Sequence, residues 1–219
     1  MRRSALLMKN IILMGAPGGG KGTISKMILK DFNAIKHIST GDLIREQIND
    51  ESSSIGKKVK DVVNSGGLVS DDLVLDVLKH SLNGQNDNLL FDGFPRSSIQ
   101  AQKLTELLNI DLVIHLNIPH QVIIDRLSSR WIHAPSGRVY AYDFNPPKVH
   151  GKDDETGEPL TQREDDKPET VATRLKQYDD SISDLLQFYS EKGVLQSFSG
   201  EFSKVIYKDV KILLDKHFN

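Results

Sequence analysis

The sequence predicts an α/β fold built on a parallel sheet of five strands. Two observations carry that prediction. Short β-type runs alternate with longer stretches of helical period, and a glycine-rich loop joins the first run to the first helix. Such alternation is the pattern of strands covered by the helices that connect them.

The runs Asn10–Met14, Lys36–Ile38, Asn88–Phe91, Asp111–Leu116 and Val194–Phe198 are short and largely apolar, as strands buried in a parallel sheet are. Between them, Ile24–Phe32, Asp42–Ile48, Gly56–Asn64, Asp72–Leu82, Ser98–Leu108 and Gln121–Arg130 carry apolar residues at helical spacing. Beyond Pro168, Val171, Leu175, Tyr178, Ile182, Leu185 and Tyr189 keep that spacing, and a last helix is expected from about Phe202 to His217. One stretch, Trp131 to Asp166, breaks the pattern. Ser136-Gly137, Asn145-Pro146-Pro147, His150-Gly151 and Thr156-Gly157 mark turns between short β pieces there. An insert of that length reads as a small β subdomain covering a site.

Composition narrows the class. Lys and Arg number 28 against 30 Asp and Glu, a net charge of −2, which excludes a strongly basic nucleic-acid protein on charge. With 38% hydrophobic and 26% charged residues, the 219-residue chain is that of a soluble globular protein with one core and a small appended lobe. Cysteine is absent, which excludes disulfides, thiolate chemistry and Cys-based zinc or iron–sulfur sites. Apolar runs such as Leu112–Leu116 fall far short of the roughly 18 residues of a membrane helix, so no membrane partner is expected. Residues 1–9 are basic and free of acid, as organelle-targeting segments are, although a plain tail fits equally.

The strongest chemical signal follows the first strand: Gly15-Ala16-Pro17-Gly18-Gly19-Gly20-Lys21-Gly22-Thr23. Glycines allow consecutive backbone N–H groups to turn inward onto phosphate oxygens, the next helix adds its dipole, and Lys21 reaches bridging and terminal phosphates. This is a P-loop. Gly22 stands where Ser or Thr usually follows the lysine, and the hydroxyl comes one place later, at Thr23. The common direct metal ligand is thereby displaced.

That departure resembles the nucleoside monophosphate kinases, the adenylate kinases in particular. Ser39-Thr40-Gly41-Asp42-Leu43-Ile44-Arg45 is similar to the family's acceptor segment, and Asp92-Gly93-Phe94-Pro95-Arg96 with Gln100 to its second acceptor motif. Trp131 to Tyr140, Asn145-Pro146-Pro147 and Asp154 to Leu160 look like its long lid. Arg130-Trp131-Ile132-His133, Gln162 to Val171, Gly193-Val194-Leu195 and Ser197-Phe198-Ser199-Gly200 resemble the mitochondrial GTP:AMP phosphotransferase branch; ATP:AMP adenylate kinases are the alternative. The resemblance implies a three-layer P-loop fold. Its parts would be a core at 10–38, 70–129 and 167–219, a helical acceptor-binding excursion at 39–69, and a β lid at 130–166 behind the 1–9 tail.

Phosphoryl transfer between two nucleotides requires fixed cations and exclusion of water. Lys21 would hold the donor's β/γ phosphates, Arg96 the acceptor phosphate, and Arg126, Arg130, Arg163 and Arg174 would close in from the lid and its hinges. Taken singly, each arginine reads as a solvated surface charge, the usual fate of Arg; the match to the family pattern is what makes it functional. By resemblance, AMP would be bound by Thr40, Arg45, Gly67, Leu68, Val69, Gly93, Phe94, Pro95, Arg96, Gln100, Arg163 and Arg174. A Gln side chain both donates and accepts, so Gln100 can read an adenine edge. The donor would be held by Gly18, Gly19, Gly20, Lys21, Gly22, Thr23, Arg126 and Arg130, and its base by backbone at Val139, Tyr140, Gly200 and Phe202 with Arg126 stacked on it. Asp92 resembles the carboxylate that fixes Mg through bound water, whereas Asp42 reads either as a helix cap or as functional.

In the lid, His133, Ser136, Asp153 and Thr156 fall where some family members place zinc ligands. Hydroxyls are poor zinc ligands, so a hydrogen-bonded cluster without zinc is expected. His115, inside a strand run, reads as structural. The expectation is therefore an Mg-dependent kinase transferring the γ-phosphoryl of GTP, or of ATP or ITP, to AMP. It would act as a monomer in the mitochondrial matrix, or in the cytoplasm if it is an ordinary adenylate kinase. A silent nucleotide-binding protein and a UMP or CMP kinase are the alternatives; Gln100 and the long lid disfavour the second, and the complete set of cations the first.

Overall fold

The computed structural model describes residues 9–82, 87–142 and 145–218; of the basic tail, residues 1–8 lie outside the described residues. The chain runs β1 (Asn10–Gly15), α1 (Lys21–Asp31), β2 (Ile35–Ser39), α2 (Thr40–Asn49), α3 (Ser54–Asn64), α4 (Asp71–Leu82), β3 (Asn88–Asp92) and α5 (Ser98–Leu107). It continues through β4 (Leu112–Asn117), α6 (His120–Ser128), β5 (Arg130–His133), β6 (Arg138–Ala141), α7 (Pro168–Glu191), β7 (Leu195–Ser199) and α8 (Ser203–Phe218). Five strands form one parallel sheet in the order β2-β3-β1-β4-β7. An order that places β1 in the middle turns the chain first one way and then the other, so helices cover both faces.

The pleat sorts the side chains. Ile11 and Leu13 of β1 face a core with Ile24 and Ile28 of α1 and Ile206, Val210 and Leu214 of α8. Their neighbours Ile12 and Met14 face a second core with Leu75 and Leu78 of α4, Leu104 of α5, and Leu185 and Tyr189 of α7. Helix α7 belongs to both layers, since Val171 and Leu175 pack into the first core and Leu185 and Tyr189 into the second. Its 24 residues thus tie the two cores together.

Three expectations are corrected. β7 is not a buried strand: it is the sheet's outer edge, and Gln196, Ser197 and Ser199 are exposed. Helix α6 ends at Ser128 rather than Arg130, because Arg130 opens the hairpin that pairs with β6. Asp42 is not the cap of α2; Ser39 is, its Oγ accepting the Asp42 N–H at 3.3 Å.

The insert from Arg130 onward is a β hairpin with a polar core. Asp153, 3% exposed, accepts from Arg138 Nε at 2.7 Å, Arg138 Nη2 at 2.6 Å, Tyr140 Oη at 2.8 Å and Thr156 Oγ1 at 3.0 Å. His133 Nδ1 lies 2.7 Å from Ser136 Oγ, and Nε2 lies 2.5 Å from Glu158 Oε2. The side chains at the four suspect positions therefore close on one another through hydrogen bonds. Arg138 holds the Asp153 carboxyl far below the usual carboxylate range. A depressed carboxylate stabilises the fold fully above its ordinary pKa and loses that effect progressively as pH falls below it. Replacing Asp153 with Ala is expected to lower the thermal midpoint and open this insert to limited proteolysis, with cleavage between β5 and α7; an unchanged digestion pattern would contradict the staple.

Candidate active site

The phosphate-type loop spans β1 and α1. Gly18 and Gly20 have φ of +78° and +86°, and a Cβ on Gly18 would sit 2.8 Å from Leu127 Cγ, so the loop's path depends on glycine at these two points. Lys21 opens α1 and folds back, its Nζ donating to Gly15 O at 2.8 Å and Ala16 O at 2.9 Å. Burial pushes this ammonium down to about 8; Asp92 opposes the shift, and Arg96, Arg174 and Arg130 add to it.

Those arginines converge from four elements. Arg96 follows β3 and anchors its Nε on Gly93 O at 2.8 Å. Arg130, at the start of β5, donates Nε to Asp166 Oδ2 at 2.7 Å. Arg174, one turn into α7, lies 2.9 Å from Asp165 Oδ2 and 3.5 Å from Asp166 Oδ1. Arg163, ahead of the short turn Glu164–Asp166, reaches within 4.0 Å of Asp42 Oδ1, which also takes Arg45 Nη2 at 2.5 Å. Burial pushes both Arg96 and Arg163 down to about 10, helped by Arg174 and Arg45 for the first and by Arg45 and Arg130 for the second. Burial alone would raise the Asp165 carboxyl, yet Arg174, Arg130, Arg45 and Arg163 hold it below the ordinary range.

A cavity of about 580 Å³ opens beside this cluster. Thr40, Arg45, Gly67, Leu68, Val69, Gly93, Phe94, Arg96, Gln100 and Arg174 line it. A second hollow of about 670 Å³ adjoins it, walled by Pro17, Lys21, Pro95, Arg96, Arg174 and the inner face of α7. Arg163, also expected there, lines neither. Gln100 is 2% exposed, with Oε1 accepting from Arg96 N at 2.7 Å and Nε2 donating to Asp71 Oδ1 at 2.7 Å. Asp92 is nearly as buried, and its Oδ2 lies 3.2 Å from Ser25 Oγ and 3.6 Å from His37 Nε2.

Arg126 stands apart from the cluster. It donates to Glu201 O in the turn between β7 and α8, next to Gly200 and Phe202. Val139 and Tyr140 belong to β6, and no hydrogen bond or ion pair joins them to that turn among the described residues. Tyr140 is buried with its hydroxyl bound to Asp153 and Asp154, which leaves its backbone to offer. Sequence reasoning missed Asp71, Asp165 and Asp166 as members of the site. The pair Asp165-Asp166 stood between two flagged arginines, the one signal that could have found it; Asp71 gave none, since it meets Gln100 only through the fold. His115 bonds Ser197 Oγ and Tyr178 Oη at 3.2 and 3.0 Å, a buried structural bridge.

The adenylate kinase family profile matches residues 13–194. The mitochondrial GTP:AMP phosphotransferase of Drosophila melanogaster is 47% identical over 209 residues, covering 95% of this chain and 96% of that one.

Because the protonated ammonium is the form that binds phosphate, affinity for a nucleoside triphosphate is expected to fall as pH rises past about 8. The loss should approach about tenfold per pH unit. Calorimetric titration across that range checks it, and Lys21→Arg, whose guanidinium stays charged, should flatten the profile.

Proposed function

We propose that this chain, which belongs to the adenylate kinase family, transfers the γ-phosphoryl group of GTP to AMP, giving GDP and ADP. One observation carries the reading: Arg96 and Arg174 line both the acceptor-type cavity and the hollow that Lys21 enters. Two polyanions placed in those hollows would meet at these guanidinium groups. The resemblance of the donor loop and the relative's name support GTP as the donor.

In the reaction a phosphate oxygen of AMP attacks the γ-phosphorus, and the bond from that phosphorus to the β-bridging oxygen breaks. The AMP phosphate is already an anion, so no general base is required. Catalysis is positioning and charge. The backbone at Gly18 to Gly20 and Lys21 hold the β and γ phosphates; Gly22 and Thr23 complete the loop. Arg96 grips the acceptor phosphate, and Arg130, Arg163 and Arg174 supply charge to the equatorial oxygens as they form. Thr40, Arg45, Gly67, Leu68, Val69, Gly93, Phe94 and Pro95 shape the AMP pocket, with Gln100 reading adenine. Arg126 stacks on the donor base, whose edges face the backbone at Val139, Tyr140, Gly200 and Phe202.

Mg carried by the triphosphate would be held through water by Asp92, and when bound it neutralises β and γ oxygen charge. Asp92 fits such an ion: it is buried at the end of β3, with Oδ2 3.2 Å from Ser25 Oγ on the helix that follows the loop. The acceptor excursion at 39–69 and the lid at 130–166 would close on the core at 10–38, 70–129 and 167–219 to exclude water. The protein would act as a monomer on free nucleotides, with neither nucleic acid nor membrane as partner. No helix of the described residues is long and apolar enough to cross a membrane. The relative's name and the basic stretch at 1–9 support the mitochondrial matrix as its place.

Initial rates of AMP phosphorylation with Mg and GTP, ITP or ATP at matched concentrations test the donor, and GTP is expected to exceed ATP severalfold. Lys21→Ala and Arg96→Ala should each lower kcat by about a hundredfold or more with circular dichroism unchanged. Activity within a few fold of wild type in either variant would sink the mechanism.

A further inference from the structure

We propose that Glu201 selects the donor base, its carboxylate accepting the N1–H and 2-amino group of a guanine laid against Arg126. The inference rests on the reading of GTP as donor given above. It begins from position. β7 runs beside β4 to the pair Asn117 and Ser199, and the following turn enters α8 next to the phosphate loop. A Cβ on Gly20 would collide with Ser203 Oγ and stand 3.6 Å from Arg126 Nη1. Glu201, two residues before Ser203, therefore lies on the side of the loop where Arg126 stands, and it does not line the acceptor cavity.

Arg126 fixes that turn by donating Nη2 to Glu201 O. Its Nη1 is buried without a hydrogen-bond partner, a cationic N–H held idle at this end of the site. Burial pushes the guanidinium pKa down and Glu201 opposes the shift, so the carboxylate lies within the field of Arg126.

Elimination then singles out one side chain. Val139 and Phe202 are apolar, 40% and 55% exposed, and Gly200 has no side chain. The Tyr140 hydroxyl is committed to Asp153 and Asp154. Ser203 is 4% exposed, and a hydroxyl donates and accepts alike, so it cannot tell one purine from another. Glu201 is exposed, charged and accepts only. Guanine offers that carboxylate two parallel donors, N1–H and the 2-amino group. Adenine offers one donor, its 6-amino group, beside a lone pair at N1 that a carboxylate repels. Hypoxanthine keeps N1–H and lacks the amino group. A carboxylate at this place therefore orders the donors as GTP, then ITP, then ATP.

The test compares wild type with Glu201→Gln and Glu201→Ala in kcat/KM for GTP, ITP and ATP, and in the dissociation constants of GDP, IDP and ADP measured by calorimetry. The expected wild-type order is the one just given. In Glu201→Gln the GTP to ATP ratio should fall about tenfold, chiefly through KM for GTP, and the gap between GTP and ITP should close. The diphosphate constants should move in the same way, while the affinity for AMP stays fixed. Donor ratios unchanged in both variants would overturn the role of Glu201 and leave the GTP reading standing. A parallel loss of AMP affinity would overturn it too, by showing a general disturbance. Preference for ATP in the wild type would overturn the donor reading itself, and is read without any variant.

Discussion

Repulsion among like charges is the constraint on which the rest of this structure depends. Burial first, and then the charge of one another and of the neighbouring Arg45 and Arg130, pushes Lys21, Arg96, Arg163 and Arg174 toward the neutral form. Burial strengthens that repulsion by lowering the local dielectric. The chain holds the cluster together with carboxylates set at its rim: Asp92 near Lys21, Asp165 and Asp166 between Arg130 and Arg174, and Asp42 between Arg45 and Arg163. In direct ion pairs each acid meets at most two of these cations. The surplus positive charge makes the cleft receptive to polyanions, and desolvation makes each contact worth more than it would be in water.

The scaffold exists to hold that cluster in place. Glycines at 18 and 20 bring the loop against α6 and the start of α8, and the sheet's central strand delivers it there. Helix α7 contributes in a different way, because it is anchored in both cores while Arg174 projects near its first anchor. A helix fixed at two points along its length cannot rotate freely. The guanidinium it carries is therefore aimed by packing tens of ångströms of helix, not by local contacts alone.

Much of this was legible in the sequence. Among the described residues the five parallel strands and the eight α-helices stand within a few residues of where period and apolar runs place them, because those signals report burial directly. The strand order was not, since parallel strands of similar composition carry no label of their neighbours; it came only as part of the family resemblance. The exposed edge of β7 was invisible for the same reason: Val194 to Phe198 reads as buried until its place in the sheet is known. Asp42 and Ser39 can both cap a helix, and only the geometry shows that Ser39 does so while Asp42 turns to Arg45. The arginines were found by their motifs, but their counter-ions were not. Asp71 lies 29 positions from Gln100, a separation that no local pattern spans.

The polar core of the insert is self-contained. Its principal bonds run between residues from His133 to Glu158, and among the described residues these side chains bond one another. Its polar ties outward pass through a few groups near its ends, such as Asp166 to Arg174 and Gln162 to Ser128 O. A segment built in this way is a cassette: its interior can be rewritten, with other chemistry at the same four positions, while its seams with the enzyme are kept. The staple and the borders are thus open to change independently, and the insert can be retuned for strength without disturbing the arginines that flank it.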